Sequence, residues 1–173
     1  VYVLSEGDEI NKTIKGAKVR SFRTEEDMLV AFVNAWEEIS PTIITGWNID
    51  FFDVTYLYNR LKRVLGTKQA NRLSPIGKVH WNKYRKRYLI AGVSALDYIA
   101  LFKNFTYTEY PNYRLDTIAQ LELGRGKIEY DGNLDQLFRD DIEKFIEYNL
   151  VDVELVVDLD KKLQFIDLAR AIC

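Results

Sequence analysis

The chain has 173 residues, 47% hydrophobic and 29% charged, with 24 Lys and Arg against 26 Asp and Glu; this suits one domain with a substantial core. No apolar run approaches the ~18 residues that would suggest a membrane span, and Val1 to Leu4 carry neither a basic leader nor a long apolar stretch. The single cysteine, Cys173, excludes an internal disulfide and fits a reducing compartment, while the single histidine, His80, excludes a His-based catalytic pair or a Cys/His zinc site.

Val1 to Leu4 and Lys18 to Phe22 read as short strands, separated by a polar loop with Gly7 and Gly16. Thr24 to Asp27 resembles a capping box, and Met28, Leu29, Phe32, Val33 and Trp36 then form one helical stripe. After Pro41, Thr42 to Trp47 read as a buried strand. From Val54 the apolar residues Val54, Leu57, Tyr58, Leu61, Val64 and Leu65 fall at helical spacing, and Gly66 ends the helix. Between that strand and helix stand Asn48, Asp50 and Asp53. Residues 77 to 92 read as a β-hairpin turning near Asn82 and Lys83. Helices are expected over Asp97 to Phe105, over Leu115 to Leu123 with Gly124 and Gly126 as stops, and from Asp140 to the end. Strands and helices alternate, so the class is α/β, with a mixed sheet and helices packed on it.

Charge is segregated. Ten basic residues lie between Val54 and Leu96 with no Asp or Glu among them, and ten acidic residues lie between Asp131 and Asp160. This fits either two solvated faces or a grip on a polyanion beside acidic chemistry. Asp53 reads as a helix N-cap, or as a ligand at the carboxyl end of a core strand, where α/β sheets bind their ligands. Asn48 has a turn reading beside it. On the last helix Phe145, Tyr148, Asp152, Leu155 and Leu159 share a face. A carboxylate in that apolar stripe needs a partner, either a Lys or Arg or a metal ion, with Tyr148 one turn away. Lys127 alone is an ordinary loop lysine. Carboxylates, a tyrosine, basic residues and no usable histidine suit two-metal phosphodiester hydrolysis, which needs oxygen ligands for Mg²⁺ or Mn²⁺ and more than two carboxylates.

These motifs resemble the 3′–5′ proofreading exonuclease domain of family B DNA polymerases, most nearly those of T-even-type bacteriophages. Asn48-x-x-x-Phe52-Asp53 resembles the second exonuclease motif, Tyr148-x-x-x-Asp152 the third, and Gly126-Lys127 the glycine-lysine pair before it. Ser94 to Lys103 and Tyr113 to Ala119 resemble the intervening segments. The resemblance covers nearly the whole chain and implies a ribonuclease H-like mixed sheet flanked by helices, with an inserted hairpin. It implies that Asp53 and Asp152 hold metal, that Tyr148 orients the attacking water, and that Lys127 approaches the scissile phosphate. Asn48 and Phe52 would line the groove for the 3′ end. Lys83, Arg85, Lys86 and Arg87 of the hairpin are expected to be largely exposed and to touch DNA. The cofactors implied are two Mg²⁺ or Mn²⁺ ions. The partners implied are single-stranded DNA, the primer 3′ end and the other polymerase domains, in the cytoplasm of an infected host cell.

The family's first motif, Asp-x-Glu on a central strand, has no counterpart before Thr42; Asp8 and Glu9 are adjacent and lie in a polar loop. Together with the absence of an initiating Met, this leads to the expectation of a single partial exonuclease domain over 1–173, lacking its first strand. Residues 150–173 would form a helix leading toward an absent polymerase domain. Such a fragment is expected to be inactive alone and to offer a strand edge, at Val1 to Leu4 or Thr42 to Trp47, to a second copy. Two rival readings are a single-stranded DNA-binding module with a vestigial site, using the hairpin with Trp81 and Tyr84, and a non-catalytic interaction domain.

Overall fold

The computed structural model describes residues 1–5, 9–128 and 134–172. Gly7, Asp8, Asp131 and Cys173, named above, lie outside them. The described residues form an α/β structure that divides into two compact units, one of Val1–Lys12 with Lys18–Asp97, the other of Thr13–Ala17 with the chain from Tyr98 onward.

In the first unit, β1 (Tyr2–Leu4) pairs in parallel with β4 (Arg20–Phe22); of the short strands between them in sequence, β2 (Thr13–Ile14) and the first residue of β3 (Ala17–Lys18) belong to the second unit. The Thr24 side chain caps α1 (Glu25–Ile39) by accepting from the Asp27 backbone N–H at 3.1 Å, as the capping pattern predicts. Ser40 closes the helix in the left-handed region. Then β5 (Ile43–Gly46) leads into α2 (Asp53–Leu65), and a short α3 (Thr67–Ala70) runs on as a 3-10 turn, Asn71–Leu73. The hairpin is β6 (Val79–Asn82) against β7 (Arg87–Ile90), and β8 (Ser94–Asp97) returns to pair in parallel with β5. Leu29 and Val33 of α1, Val54, Tyr58 and Leu61 of α2, Leu73 and Ile90 form one buried cluster, so the predicted stripes of both helices face the same core.

The second unit is mainly helical: α4 (Tyr98–Phe105), α5 (Leu115–Leu123), α6 (Leu134–Asp140), α7 (Ile142–Leu163) and α8 (Phe165–Ile172). Its buried residues include Tyr98, Phe102, Ile118, Ile146, Leu155, Leu159 and Phe165. Asp141 caps α7 through the Lys144 backbone N–H at 2.9 Å.

Three expectations change. The helix expected from Asp140 to the end is two, α7 and α8. Asp141 starts a new helix after α6, and Gln164, at φ 55°, stops α7 in the left-handed region. There the Asp160 carboxylate accepts from the Ile166 N–H at 3.1 Å and opens α8. The helix read from Asp97 to Phe105 starts one residue later, at Tyr98, because Asp97 is the last residue of β8. Among the described residues the strands pair two by two.

Candidate active site

Parallel pairing of β5 with β8 sets Gly46 opposite Asp97, so both strands deliver their carboxyl ends to the same side. The loop from Trp47 to Phe52 begins there. Asp97 organises it: one carboxylate oxygen accepts from the Asn48 N–H at 2.9 Å and the other from the Asp50 N–H at 3.4 Å. Asn48 takes φ 66°, a conformation that asparagine tolerates better than most residues. Gly46 allows the loop to fold back, because a Cβ there would lie 2.4 Å from Ile49 Cγ2, and Ile49 is only 5% exposed.

Asp53 is the first residue of α2. Phe52 holds the N-cap position and no side chain caps the helix, so the capping alternative for Asp53 does not describe this structure. Desolvation by the surrounding protein pushes the exposed Asp53 carboxyl above the usual carboxylate range; its own backbone N–H pulls the other way, and the charge of Asp97 adds to the rise. Phe51, Phe52 and Tyr56 are exposed beside it, the last two with rings nearly parallel and centroids 6.4 Å apart.

The basic block resolves into different environments. Arg60 pairs with Glu25, and Arg72 pairs with Glu37 at 2.8 Å through Nε. At the hairpin tip Asn82 Oδ1 accepts from the backbone N–H groups of Tyr84 and Arg85, and Lys83, Arg85 and Lys86 are exposed. Arg87 departs from the expected exposure. Its side chain, 20% exposed, is ion-paired through the guanidinium with Asp50, whose side chain is 9% exposed. The reason is position: Arg87 opens β7 opposite Asn82, where the chain leaves the turn and enters the ladder, next to Tyr88, whose ring packs 4.4 Å from that of Tyr58 on α2.

The second unit carries the other predicted residues. Gly126 runs past Asp116, where a Cβ would meet a carboxylate oxygen at 2.4 Å. That same oxygen accepts from the Lys127 N–H at 2.7 Å. Lys127 Nζ then donates to Asp152 Oδ2 at 2.6 Å and reaches the Tyr148 hydroxyl at 3.5 Å. The structure thus joins Lys127, Tyr148 and Asp152 in one cluster. Burial works against the ammonium of Lys127, but the hydrogen bond and charge of Asp152, with Tyr148 adding, hold it above its ordinary range. Asp152 Oδ1 is buried with no hydrogen-bond partner among the described residues. Reading by sequence missed Asp97, Asp116 and the pairing of Asp50 with Arg87. Asp97 was taken only as a helix start. The adjacency of Gly126 and Lys127 was the one visible sign of Asp116.

A pair of Mg²⁺ or Mn²⁺ ions needs more oxygen ligands than this. Of the two predicted carboxylates, Asp53 belongs to one unit and Asp152 to the other. Among the described residues no group of three or more His, Cys, Asp or Glu side chains gathers. The unpaired Asp152 oxygen is a single donor; the residues present do not make a two-ion cage.

The sequence profile of the DNA polymerase family B exonuclease domain matches residues 4–118. The chain is 43% identical over 169 residues to the DNA-directed DNA polymerase of Enterobacteria phage T4 and 41% identical over 170 residues to that of Escherichia phage RB69. It is 29% identical over 176 residues to DNA polymerase 1 of Saccharolobus solfataricus. Each phage alignment takes in 94% of this chain and 19% of the relative's length.

Proposed function

The chain belongs to the exonuclease domains of family B DNA polymerases, and from that premise we propose that it removes 3′-terminal nucleotides from single-stranded DNA as the proofreading part of a phage replicative polymerase. The observation that carries this reading is the cluster in which Lys127 Nζ lies 2.6 Å from Asp152 and 3.5 Å from the Tyr148 hydroxyl. A phosphodiester needs its anionic oxygens neutralised and its attacking water oriented. An ammonium with its charge held on suits the first task, and a phenol hydroxyl suits the second. Asp53 and Asp152 supply two of the metal-binding carboxylates. The others, an Asp-x-Glu pair on a strand, we assign to a further strand of a ribonuclease H-like sheet in the polymerase polypeptide; Asp141-x-Glu143 and Asp152-x-Glu154 belong to the N-cap and body of α7 and are no such strand. When two Mg²⁺ or Mn²⁺ ions are bound by the full set, they supply the Lewis acidity for hydrolysis. Asn48 and Phe52 border the path of the 3′ end, with Lys83, Arg85 and Lys86 on the phosphates.

The present chain alone then has no exonuclease activity. A 3′-labelled single-stranded oligonucleotide incubated with it in excess Mg²⁺ or Mn²⁺ stays intact, as it does with Asp152→Ala. Shortening by the native chain and not by the variant would show that these residues suffice. A single-stranded DNA-binding module with a vestigial site is the second reading, favoured by the exposed parallel pair Phe52 and Tyr56 and by Trp81. It predicts salt-sensitive binding that survives loss of both Asp53 and Asp152, and a polymerase polypeptide whose exonuclease rate is indifferent to them.

A further inference from the structure

The junction between β5 and α2 holds two carboxylates, Asp50 and Asp53, and the proposed chemistry uses only the second. Asp50 is buried, and its carboxylate turns away from solvent to the Arg87 guanidinium. Asp50 Oδ1 and Arg87 Nε are both buried without hydrogen-bond partners among the described residues, so the charges answer each other in a largely dry setting. A pair of this kind is a weak source of net stability, and removing one member leaves the other charge stranded. Replacement by apolar residues would fill the space at no electrostatic cost. The value of the pair therefore lies in what its geometry fixes.

It adds a third anchor to a loop otherwise held by β8 and α2. The Asp50 N–H and the Asn48 N–H both donate to Asp97, and the Asp50 carbonyl accepts from Thr55 Oγ1 at 3.0 Å, in the first turn of α2. Asp50 is thus bonded through its N–H to β8, through its carbonyl to α2 and through its side chain to β7. Asp53 follows three residues later. The β7 end is itself anchored, because Tyr88, next to Arg87, packs on Tyr58 and donates its hydroxyl to Asn59 at 2.8 Å. The start of β7, the loop and the start of α2 are therefore fastened at shared points within one unit.

We infer that Asp50 and Arg87 are positioning residues: their buried pair sets the 48–53 loop so that Asn48 and Asp53 meet the 3′ end in productive register, and Arg87 acts through Asp50 and not on DNA. The inference rests on the reading of Asp53 as a site carboxylate. A carboxylate displaced by about 1 Å costs on the order of 100-fold in rate without any loss of substrate contact.

The test uses the complete polymerase polypeptide and single-turnover digestion of a single-stranded oligonucleotide in Mg²⁺, with DNA concentration varied. Arg87→Met and Asp50→Asn are expected to lower the saturated rate by about 10- to 100-fold and to leave the half-saturating DNA concentration within about twofold. Arg87→Lys, which keeps the charge, recovers part of the rate; it replaces Arg87→Met if that variant loses its cooperative melt. Weakened DNA binding with an unchanged saturated rate would make Arg87 a phosphate contact and overturn the inference. Native values of both quantities would overturn it too, provided Asp53→Ala abolishes digestion. Digestion that survives Asp53→Ala would instead overturn the reading of Asp53, and with it the basis of the link.

Discussion

Gly46→Ala isolates one contact in the loop. The backbone of Gly46 is not in the left-handed region, so alanine meets no conformational objection there; the objection is the 2.4 Å approach of its Cβ to Ile49 Cγ2. Ile49 cannot swing aside freely, because it is 5% exposed and packed in the cluster with Val54, Tyr58 and Leu61. Overpacking of this kind costs about 1–3 kcal/mol. The stiffer unfolded chain of alanine returns about 0.4–1 kcal/mol. The net loss is then about 1–2 kcal/mol, read from urea melts of the chain. Ile49→Ala alone should cost about 2–5 kcal/mol as a cavity. In that background Gly46→Ala should add nothing or recover some stability, giving a coupling of at least about 1 kcal/mol. A Gly46→Ala chain as stable as the native one, or additive losses in the double variant, would refute the close-approach argument.

The remaining predictions concern charge. Asp152→Ala should cost under about 1 kcal/mol of stability, since Asp152 and Lys127 are 29% and 28% exposed and such pairs are screened by water; a larger loss in a thermal melt would make the pair a structural brace. The Tyr110 hydroxyl bond to Glu122 holds that carboxyl below its usual range against the opposing effect of burial, and Lys162 reinforces it. The stability this adds is full above the unfolded value near pH ~4.3 and fades as pH falls through the folded value; Glu122→Gln should flatten the melting temperature in that acid window. Replacing Lys83, Arg85 and Lys86 together with Ala should lower the salt dependence of single-stranded DNA binding by about 2 in slope, measured by fluorescence titration, and an unchanged slope would make the tip a solvated face.

Periodicity carried much of the fold. The stripes over Met28 to Trp36 and Val54 to Leu65 are long, regular and bounded by Thr24 and Gly66, so each helix and its buried face could be read directly. The hairpin was legible from its alternating aromatic residues. Breaks made by hydrogen bonding were not: Gln164 carries no stop signal, and only the bond from Ile166 to the Asp160 carboxylate shows why a second helix begins there. Strand β8 is four residues long and runs straight into α4, too short for its alternation to speak. At the site, the proximity of Tyr148 and Asp152 follows their helical spacing, whereas Lys127 was linked to them only by the family resemblance. The partners that orient these groups come from distant segments, Asp97 to Asn48, Asp116 to Lys127 and Arg87 to Asp50, and local pattern holds no trace of such pairings. Arg87 shows the limit most plainly, since four basic residues in a run of five looked alike and one of them is turned inward.

The central claim of the proposed function is that Asp53 and Asp152 are both required for the exonuclease reaction. Its most direct test is the exonuclease rate of the complete polymerase polypeptide on a 3′-labelled single strand, for Asp53→Ala, Asp152→Ala and the double variant. Residues that act as a unit are non-additive, so each single change should remove nearly all activity and the double should be no slower than the slower single. Losses that multiply in the double variant, or a native rate in either single one, would contradict the account.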